Sequence, residues 1–428
     1  MKYFFNINFI YKKIFKSEFN QSVLKLVSGT GLAQLIGIAV SPIITRLYSP
    51  SDFGQFGLYL SMIAMLSVGV SGRYELAIML PKSNRKASQL LALCLVLIVL
   101  FTGLLVLGIC IYHILFADMK PIGKWLYILP IGVLLRGLYN TLTNWINRQK
   151  KYSALSIAVI LQRIFISSTQ LLVGFLIAAS IWGLIAGQIM GVMVSVLFLG
   201  GLVVKTNNPF IKQWNFASIK KVAKEYKNFP QFSMASGWLN TVSLEVPVLL
   251  LSFYFDANEV GYYILAKQVV QLPLGIIGQG VGKVFFQQAS VVKDNADQLM
   301  RLFFSTIKKL ALIILLPMIF LFFAGKQTFV FIFGPQWFVT GQLIEVLVPI
   351  FFVQFIISPL SNVFGIRNKN QLGLILNAIL IISRFLSLMI GVIWLKTFIN
   401  VLILFSIVEV FFRLFQIYFT YYIIKRDV

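Results

Sequence analysis

The chain has 428 residues, of which 59% are hydrophobic and 12% are charged, and its formal net charge at pH 7 is +24. Soluble globular proteins carry about a quarter charged residues, so this composition excludes a soluble enzyme and indicates a polytopic membrane protein. The positive residues lie in short loops between apolar segments, where they set membrane orientation, so the charge does not indicate nucleic-acid binding.

About twelve apolar segments are long enough to cross a membrane, since a spanning helix needs about 20 mostly apolar residues. Only helices satisfy their own backbone hydrogen bonds in lipid, so we predict an all-α integral membrane protein. The predicted spans are residues 23–45, 53–72, 88–111, 125–146, 154–178, 182–204, 231–255, 260–284, 307–325, 342–365, 372–395 and 399–423.

A polar interval near the middle of the chain divides these spans into two sets of six. We predict an N-lobe over residues 22–204, a cytoplasmic linker over 205–229 and a C-lobe over 230–428. Residues 1–21 are predicted to form a basic amphipathic segment on the cytoplasmic face. The linker is basic and contains a single acid, Glu225; its lysines are Lys205, Lys212, Lys220, Lys221, Lys224 and Lys227.

Two stretches, one near the start of each predicted lobe, resemble each other. Leu47–Phe56 falls on Tyr254–Tyr263 at a displacement of 207 positions. Both read aromatic, short polar turn, acid, apolar residue and Gly, followed by an aromatic-rich helix start. A weak repeat of this kind is expected of a transporter built from two related halves, although chance similarity between two membrane hairpins would give the same pattern.

Lysine and arginine are concentrated in alternate loops, which predicts the orientation of the chain. Loops within 82–86, 148–151, 205–227 and 367–369 are predicted to be cytoplasmic, together with both termini. Asp52 and Gln336 are predicted to lie outside. Within the sixth span, Gly183, Gly187 and Gly191 recur every four residues, which predicts a face that packs closely against another helix.

Four cations lie deep in predicted spans, and no residue at helical spacing on the same span balances them. A charge near the centre of a bilayer is costly, so it usually faces a cavity or a partner. Polar residues share a helix face with these cations, which predicts a hydrated central cavity of positive sign. The candidate substrate-binding residues are Arg136, Arg163, Lys267, Arg384, Asn140, Asn144 and Gln271.

Acids within or beside the spans are candidates for coupling or for charge pairing. Glu409 and Arg413 are four residues apart and can neutralise each other, while Arg73 and Glu75 stand where the second span ends and can extend to the interface. An acid that neutralises a cation while ionised and releases it when protonated could drive transport. Glu245 is the first candidate for this switch; structural pairing, with the membrane potential or downstream polymerisation as the driving force, is the alternative. The set is Glu245, Glu345, Glu409, Arg413, Arg73 and Glu75.

Catalytic and cofactor signatures are not evident. The chain has one histidine, His113, and the sequence shows no Ser/His/Asp, Cys/His or metal-ligand constellation around it. Gly278–Lys283 resembles a phosphate-binding loop, but it lacks the following Ser or Thr and lies within a predicted span. We therefore predict a protein that is not an enzyme and has no cofactor, metal or nucleic-acid partner.

Four stretches carry a resemblance to a known family. They begin the first hairpin, follow the second span, open the second half and precede the tenth span. The chain resembles bacterial polysaccharide flippases of the O-antigen (Wzx) type, in the superfamily that also holds drug/cation antiporters and peptidoglycan-precursor flippases. The stretches are ITRLYSPSDFGQFGLYLS, GRYELAIMLPKSNRKA, the segment from Lys227 to Ser290, and FIFGPQWFVTGQLIEVLVP.

This resemblance implies a bundle of about twelve helices in two related lobes. It implies export of undecaprenyl-diphosphate-linked oligosaccharide repeat units across the bacterial cytoplasmic membrane by alternating access, for O-antigen or capsule assembly. Besides this substrate and membrane lipid, a polysaccharide polymerase and a chain-length regulator would be the partners. The alternatives are a cation-coupled drug antiporter and a peptidoglycan-precursor flippase. The latter carry an arginine in the middle of the first helix, whereas Val27–Thr45 contains no charge here.

Overall fold

The computed structural model describes residues 18–115, 123–211, 214–292, 295–360, 363–367 and 369–426, and no strand occurs among them. Residues 1–17 of the predicted amphipathic segment lie outside these ranges. The helices of ten or more residues are α1 (Glu18–Leu47), α2 (Pro50–Gly69), α3 (Asn84–Leu115), α4 (Leu129–Arg148), α5 (Tyr152–Leu176), α6 (Ile181–Ile211), α7 (Phe216–Glu225), α8 (Met234–Tyr254), α9 (Ala257–Val291), α10 (Ala296–Phe333), α11 (Phe338–Leu360), α12 (Asn370–Ile390) and α13 (Phe398–Arg426). Shorter helical segments are Tyr74–Ala77, Lys124–Ile128, Phe229–Ser233, Pro335–Trp337, Val363–Ile366 and Gly391–Leu395.

The described helices confirm the prediction of an all-α membrane protein. Ten of them, within the part of the chain that the structure describes, are long and apolar enough to cross a membrane. The predicted second and eighth spans fall on α2 and α9, which are helices but are not among those ten. The number of twelve spans therefore stays a prediction.

The chain divides into two compact units. The first contains Met1–Ile44 and Met62–Trp238, and the second contains Thr45–Ser61 and Leu239–Val428. The basic helix α7 and the start of α8 therefore belong to the first unit. The second unit includes the corner between α1 and α2, together with the first half of α2.

Small residues bring helices of the first unit close together. A Cβ added to Gly187 or Gly191 of α6 would overlap Ile166 or Gln170 of α5. The predicted close-packing face is therefore confirmed at these two positions. On α1, a Cβ at Gly29 would likewise overlap Ser156 of α5.

The two repeated stretches are both helix starts closed by reciprocal capping. At the start of α2, the Asp52 backbone N–H donates to Ser49 Oγ at 3.2 Å, and the Ser49 N–H donates to Asp52 Oδ2 at 3.0 Å. At the start of α9, the Glu259 N–H donates to Asp256 Oδ1 at 2.9 Å, and the Asp256 N–H donates to Glu259 Oε2 at 3.3 Å. The shared pattern of an aromatic, a polar turn and an acid is thus a repeated capping box.

These two helix starts also pack against each other in the second unit. A Cβ on Gly54 would overlap the carbonyl oxygen of Ala257, and a Cβ on Gly261 would overlap the carbonyl oxygen of Pro50. Ala257 and Gly261 are the residues that lie 207 positions after Pro50 and Gly54. Each repeat therefore makes the same contact to the other, and the crossing is reciprocal. Only glycine permits backbones to approach this closely, which gives a physical reason for both glycines.

The α1–α2 corner is held in the second unit by the short segment between α10 and α11. The Trp337 indole donates to the Thr45 carbonyl at 2.8 Å, and the Gln336 amide donates to the Tyr48 carbonyl at 3.2 Å. Thr45 in turn donates to the Phe333 carbonyl at 3.3 Å. These bonds satisfy backbone carbonyls exposed where α1 ends, so they account for the placement of this corner in the second unit.

Candidate functional site

The second unit contains a buried ion pair with two parallel hydrogen bonds. On α12, Arg384 is 6% exposed; on α13, Glu409 is 1% exposed. The Arg384 guanidinium donates through Nε to Glu409 Oε2 at 2.9 Å and through Nη2 to Oε1 at 2.5 Å. Its Nη1 donates to the Ser243 carbonyl of α8 at 2.7 Å. The acidic partner of Arg384 therefore lies on a neighbouring helix, where a search at helical spacing on its own span could not find it.

A second arginine contacts the same carboxylate. Arg413 Nε donates to Glu409 Oε1 at 3.2 Å, and its Nη1 donates to Gln416 Oε1 at 3.2 Å. The predicted neutralisation of Glu409 by Arg413 is present, but it is shared with Arg384. Two guanidinium groups around one carboxylate leave this cluster with an excess positive charge.

Lys267 is also paired with an acid on another helix, Glu245 of α8. Its Nζ lies 3.5 Å from Glu245 Oε2 and donates to the Leu244 carbonyl at 3.2 Å. The same oxygen of Glu245 accepts a hydrogen bond from the Ser61 hydroxyl of α2 at 2.8 Å. Both side chains of the ion pair are about a fifth exposed. Ser61, Glu245 and Lys267 therefore connect α2, α8 and α9 within the second unit.

Several predicted site residues meet at a small cavity inside the second unit. The cavity has a volume of about 40 Å³. Lys267 and Gln271 of α9 reach it from one helix, and Arg384 and Glu409 reach it from two others. Tyr263, Gln354 and a set of apolar side chains complete the wall. The cavity thus brings together two cations, one acid and two amides. Gln354 was missed because no charge shares its face of α11; Glu345, nine residues earlier, lies on the opposite face.

The remaining predicted charge pairs lie apart from this cavity. Glu345 is 3.3 Å from Lys326 Nζ, and both side chains are about a third exposed. In the first unit, Arg73 Nη1 lies 3.7 Å from Glu75 Oε1, and the Ser71 hydroxyl donates to the same carboxylate. Glu75 is 4% exposed, so its carboxylate is enclosed by the first unit, and the role of this pair stays a prediction.

Arg136 of the first unit has an aromatic neighbour rather than an acidic one. Its guanidinium carbon lies 5.7 Å from the centre of the Tyr139 ring, a cation–π geometry. Among the residues that the structure describes, it forms no ion pair. On the same helix, Asn144 Nδ2 donates to the Asn140 carbonyl at 3.0 Å. Asn140 shares a helix face with Arg136 because it is four residues further along. The Asn144 amide is partly engaged by its own helix.

Arg163 is the least compensated of the deep cations. Its guanidinium lies against Gly37 near the middle of α1, where a Cβ would overlap it. Its Nε is buried without a hydrogen-bond partner, and no acid within the described ranges pairs with it. The first helix has no charge of its own between Val27 and Thr45, so α5 supplies a cation beside it.

Parts of the predicted polar faces serve helix packing. On α5, the Gln170 amide donates to the Leu184 carbonyl of α6 at 3.2 Å, so this residue contacts α6 rather than a cavity. On α13, Ser406 donates to the Val346 carbonyl of α11 at 2.7 Å. Polar residues at helical spacing therefore identified helix faces that contact other polar groups. The spacing did not distinguish residues that bond to a neighbouring helix from residues that line a cavity.

Comparisons with known proteins agree with this fold. The sequence profile of a family described as "Polysaccharide biosynthesis protein" matches residues 43–341. The teichuronic acid biosynthesis protein TuaB of Bacillus subtilis is 23% identical over 164 residues, which are 38% of this chain and 34% of TuaB. The alignment thus spans about a third of that relative.

Solved structures share the fold over nearly the whole chain. A multidrug resistance MATE family transporter of the MOP superfamily, in an inward-facing conformation, has a TM-score of 0.67 and 14% identity, with 94% of this chain and 95% of that chain covered. The lipid II flippase MurJ, in an inward closed conformation, has a TM-score of 0.66 and 16% identity, with 92% and 87% covered.

Proposed function

The chain belongs to the polysaccharide biosynthesis protein family, and we propose that it flips undecaprenyl-diphosphate-linked oligosaccharide repeat units across the cytoplasmic membrane. Export would proceed by alternating access and would supply surface polysaccharide such as O-antigen or capsule. The observation that carries this proposal is the uncompensated positive charge of Arg136 and Arg163 in the first unit. These two cations have room for an anionic partner. A diphosphate would supply it, because guanidinium groups bind phosphate with two hydrogen bonds.

The second unit contributes differently in this proposal. Its deep cations already have carboxylate partners, so an incoming phosphate would compete with Glu409 and Glu245 for them. We refine the expectation that four cations share the diphosphate: Arg136 and Arg163 make the main phosphate contacts. Gln271, Asn140 and Asn144 are the candidates for contacts to sugar hydroxyls.

Coupling would use the Glu245–Lys267 pair. Both side chains are partly exposed, so a proton can reach Glu245. Protonation would remove the negative charge, release Lys267 and leave Ser61 with a neutral partner. Glu409 is a poor switch because two arginines hold it and it is almost fully buried. The pairing of Glu409 with two arginines also disfavours a drug/cation antiporter, since an acid engaged by arginine is not free to bind a cationic substrate.

Reconstitution in proteoliposomes with a labelled lipid-linked oligosaccharide tests the substrate. Arg136→Ala and Arg163→Ala should each lower the flipping rate by about tenfold or more, because one charge-assisted contact to phosphate is lost. Lysine at either position should restore only part of the rate, because it lacks the bidentate fork. Lys326→Ala, which breaks a pair that is about a third exposed and lies apart from the cavity, is the matched control. Wild-type flipping by the double variant R136A/R163A would contradict the proposal.

The coupling step is tested separately in the same vesicles with an imposed pH gradient. Glu245→Gln should abolish the response to the gradient while leaving downhill flipping measurable. Glu345→Gln should retain the wild-type response, since its partner lies apart from the cavity. If Glu245→Gln responds like the wild type, the proton switch is wrong, and the membrane potential or downstream polymerisation becomes the driving force.

A further inference from the structure

Helix α7 presents a basic surface that the proposed transport cycle does not use. Lys220, Lys224 and Lys227 recur at intervals of four and three residues, so they share one face of the helix and its continuation. All three are exposed, as is Lys221. Phe216 stands four residues before Lys220 and is 79% exposed. One face of this short helix is therefore cationic with an uncovered aromatic ring at its start.

The opposite face of α7 is anchored to the first unit. Val222 is 2% exposed and packs in the same core cluster as Leu91, Trp145 and Val203. The Tyr74 hydroxyl donates to the Ala223 carbonyl at 3.0 Å. These contacts fix the rotation of α7, so the lysine face points away from the protein as a consequence of packing and not of chance.

The charge of this surface is scarcely compensated. Glu225 is the acid of α7, and it is held by Lys86 at the start of α3, with Nζ 3.0 Å from Oε1. Lys82, two residues before α3, and Arg85, in its first turn, are exposed and form no ion pair among the described residues. The same holds for the four lysines of α7 and its continuation. The surface therefore offers six unpaired cations.

The packing of α7 places this surface at the level of membrane headgroups. The core cluster beneath it contains Trp145 and Ile146 from the last turn of α4 and residues from the first turns of α3. Both helices are among those long and apolar enough to cross a membrane. Where spanning helices begin and end, the bilayer presents its polar headgroups. An aromatic ring beside lysines is the composition of a helix that lies in this interface.

We propose that this surface, formed by α7 and the start of α3, binds the headgroups of anionic phospholipids in the bilayer around the protein. The lysines would contact lipid phosphates, and Phe216 would insert at the boundary between headgroups and acyl chains. This contact would fix α7 of the first unit to the membrane surface. The inference uses only the membrane location and the geometry of the first unit, so it does not depend on the transported substrate.

Electron spin resonance on the full chain tests the lipid preference. The protein is reconstituted in mixed phosphatidylethanolamine and phosphatidylglycerol vesicles, and spin-labelled forms of both lipids report their relative association with it. Replacing Lys220, Lys221, Lys224 and Lys227 by Gln should lower the preference for phosphatidylglycerol by about threefold or more. High salt should lower the preference of the wild type in the same direction. An unchanged preference in this variant would overturn the proposal.

A matched control removes the same number of exposed cations from the second unit. The variant with Arg301, Lys308, Lys309 and Lys369 replaced by Gln should keep most of the wild-type preference. If both variants lose it equally, the effect is one of net charge and the proposed surface is wrong. Thermal unfolding of both variants verifies that each is folded.

A second measurement reports the position of Phe216. A spin label is attached at F216C in a C110S background, since the other cysteine, Cys94, is buried. The label should be more accessible to oxygen than to a water-soluble nickel complex, whereas a label at K227C should show the reverse order. Preferential access of the nickel complex at position 216 would contradict insertion into the lipid boundary.

Discussion

The two units treat their deep cations in opposite ways. In the second unit, Lys267 and Arg384 each face a carboxylate, and Arg384 makes two hydrogen bonds to Glu409. In the first unit, Arg136 and Arg163 have no acidic partner among the described residues. Buried polar groups are normally satisfied, so the buried Nε of Arg163, which has no hydrogen-bond partner, is the exception that calls for a ligand. The comparison separates charges that hold a unit together from charges that are available for an anionic substrate.

The largest expected effect is on the stability of the second unit. Glu409→Ala would leave Arg384 and Arg413 buried with no carboxylate between them, which should cost about 3–5 kcal/mol of unfolding free energy. Thermal unfolding of the purified protein in detergent measures the loss. The triple variant R384M/E409L/R413M, which replaces all three charged groups by apolar ones, should regain much of it. Equal melting temperatures for Glu409→Ala and the wild type would refute this account of the cluster.

Thermal unfolding of a first-unit variant tests whether the deep cations of that unit also stabilise it. Arg163→Met removes a buried cation that has no partner, so stability should stay within about 1 kcal/mol of the wild type or rise. Flipping should nevertheless be lost. A fall in stability as large as that of Glu409→Ala would mean that Arg163 has a structural partner and is not reserved for substrate.

The reciprocal glycine crossing should be the next most sensitive contact. Gly54→Ala or Gly261→Ala would force the backbones of α2 and α9 apart, at a cost of about 1–3 kcal/mol. Gly103→Ala is the control, because a Cβ there meets no atom within 4 Å and alanine favours a helix. Unchanged unfolding of both crossing variants would show that residues 45–61 are not tightly held in the second unit.

The smallest effect is expected for the Lys326–Glu345 pair. Both groups are about a third exposed, so water and ions screen their attraction and the pair should contribute less than about 1 kcal/mol. A double-mutant cycle with K326Q and E345Q measures the coupling. The equivalent cycle with K267Q and E245Q should give a larger coupling energy, because that pair is less exposed. The reverse order would contradict the ranking by burial.

Sequence patterns alone predicted the helical membrane fold, since composition and the length of apolar runs follow directly from the thickness of a bilayer. They also located the repeated helix starts and the glycine face of α6, because capping boxes and small residues at intervals of four are local features. The sequence alone did not show which contacts the acid of the first repeat, Asp52, makes. The structure assigns it to a capping box.

Only the tertiary structure decided which charges are free. Arg384 and Glu409 lie on different helices and are 25 residues apart, and Ser61 lies 184 residues from Glu245. Helical spacing relates residues on one helix, but the partner of a charge on another helix depends on how both helices rotate and approach. The sequence therefore determined where charge enters the membrane, whereas packing determined whether that charge is neutralised within the protein or left for a ligand.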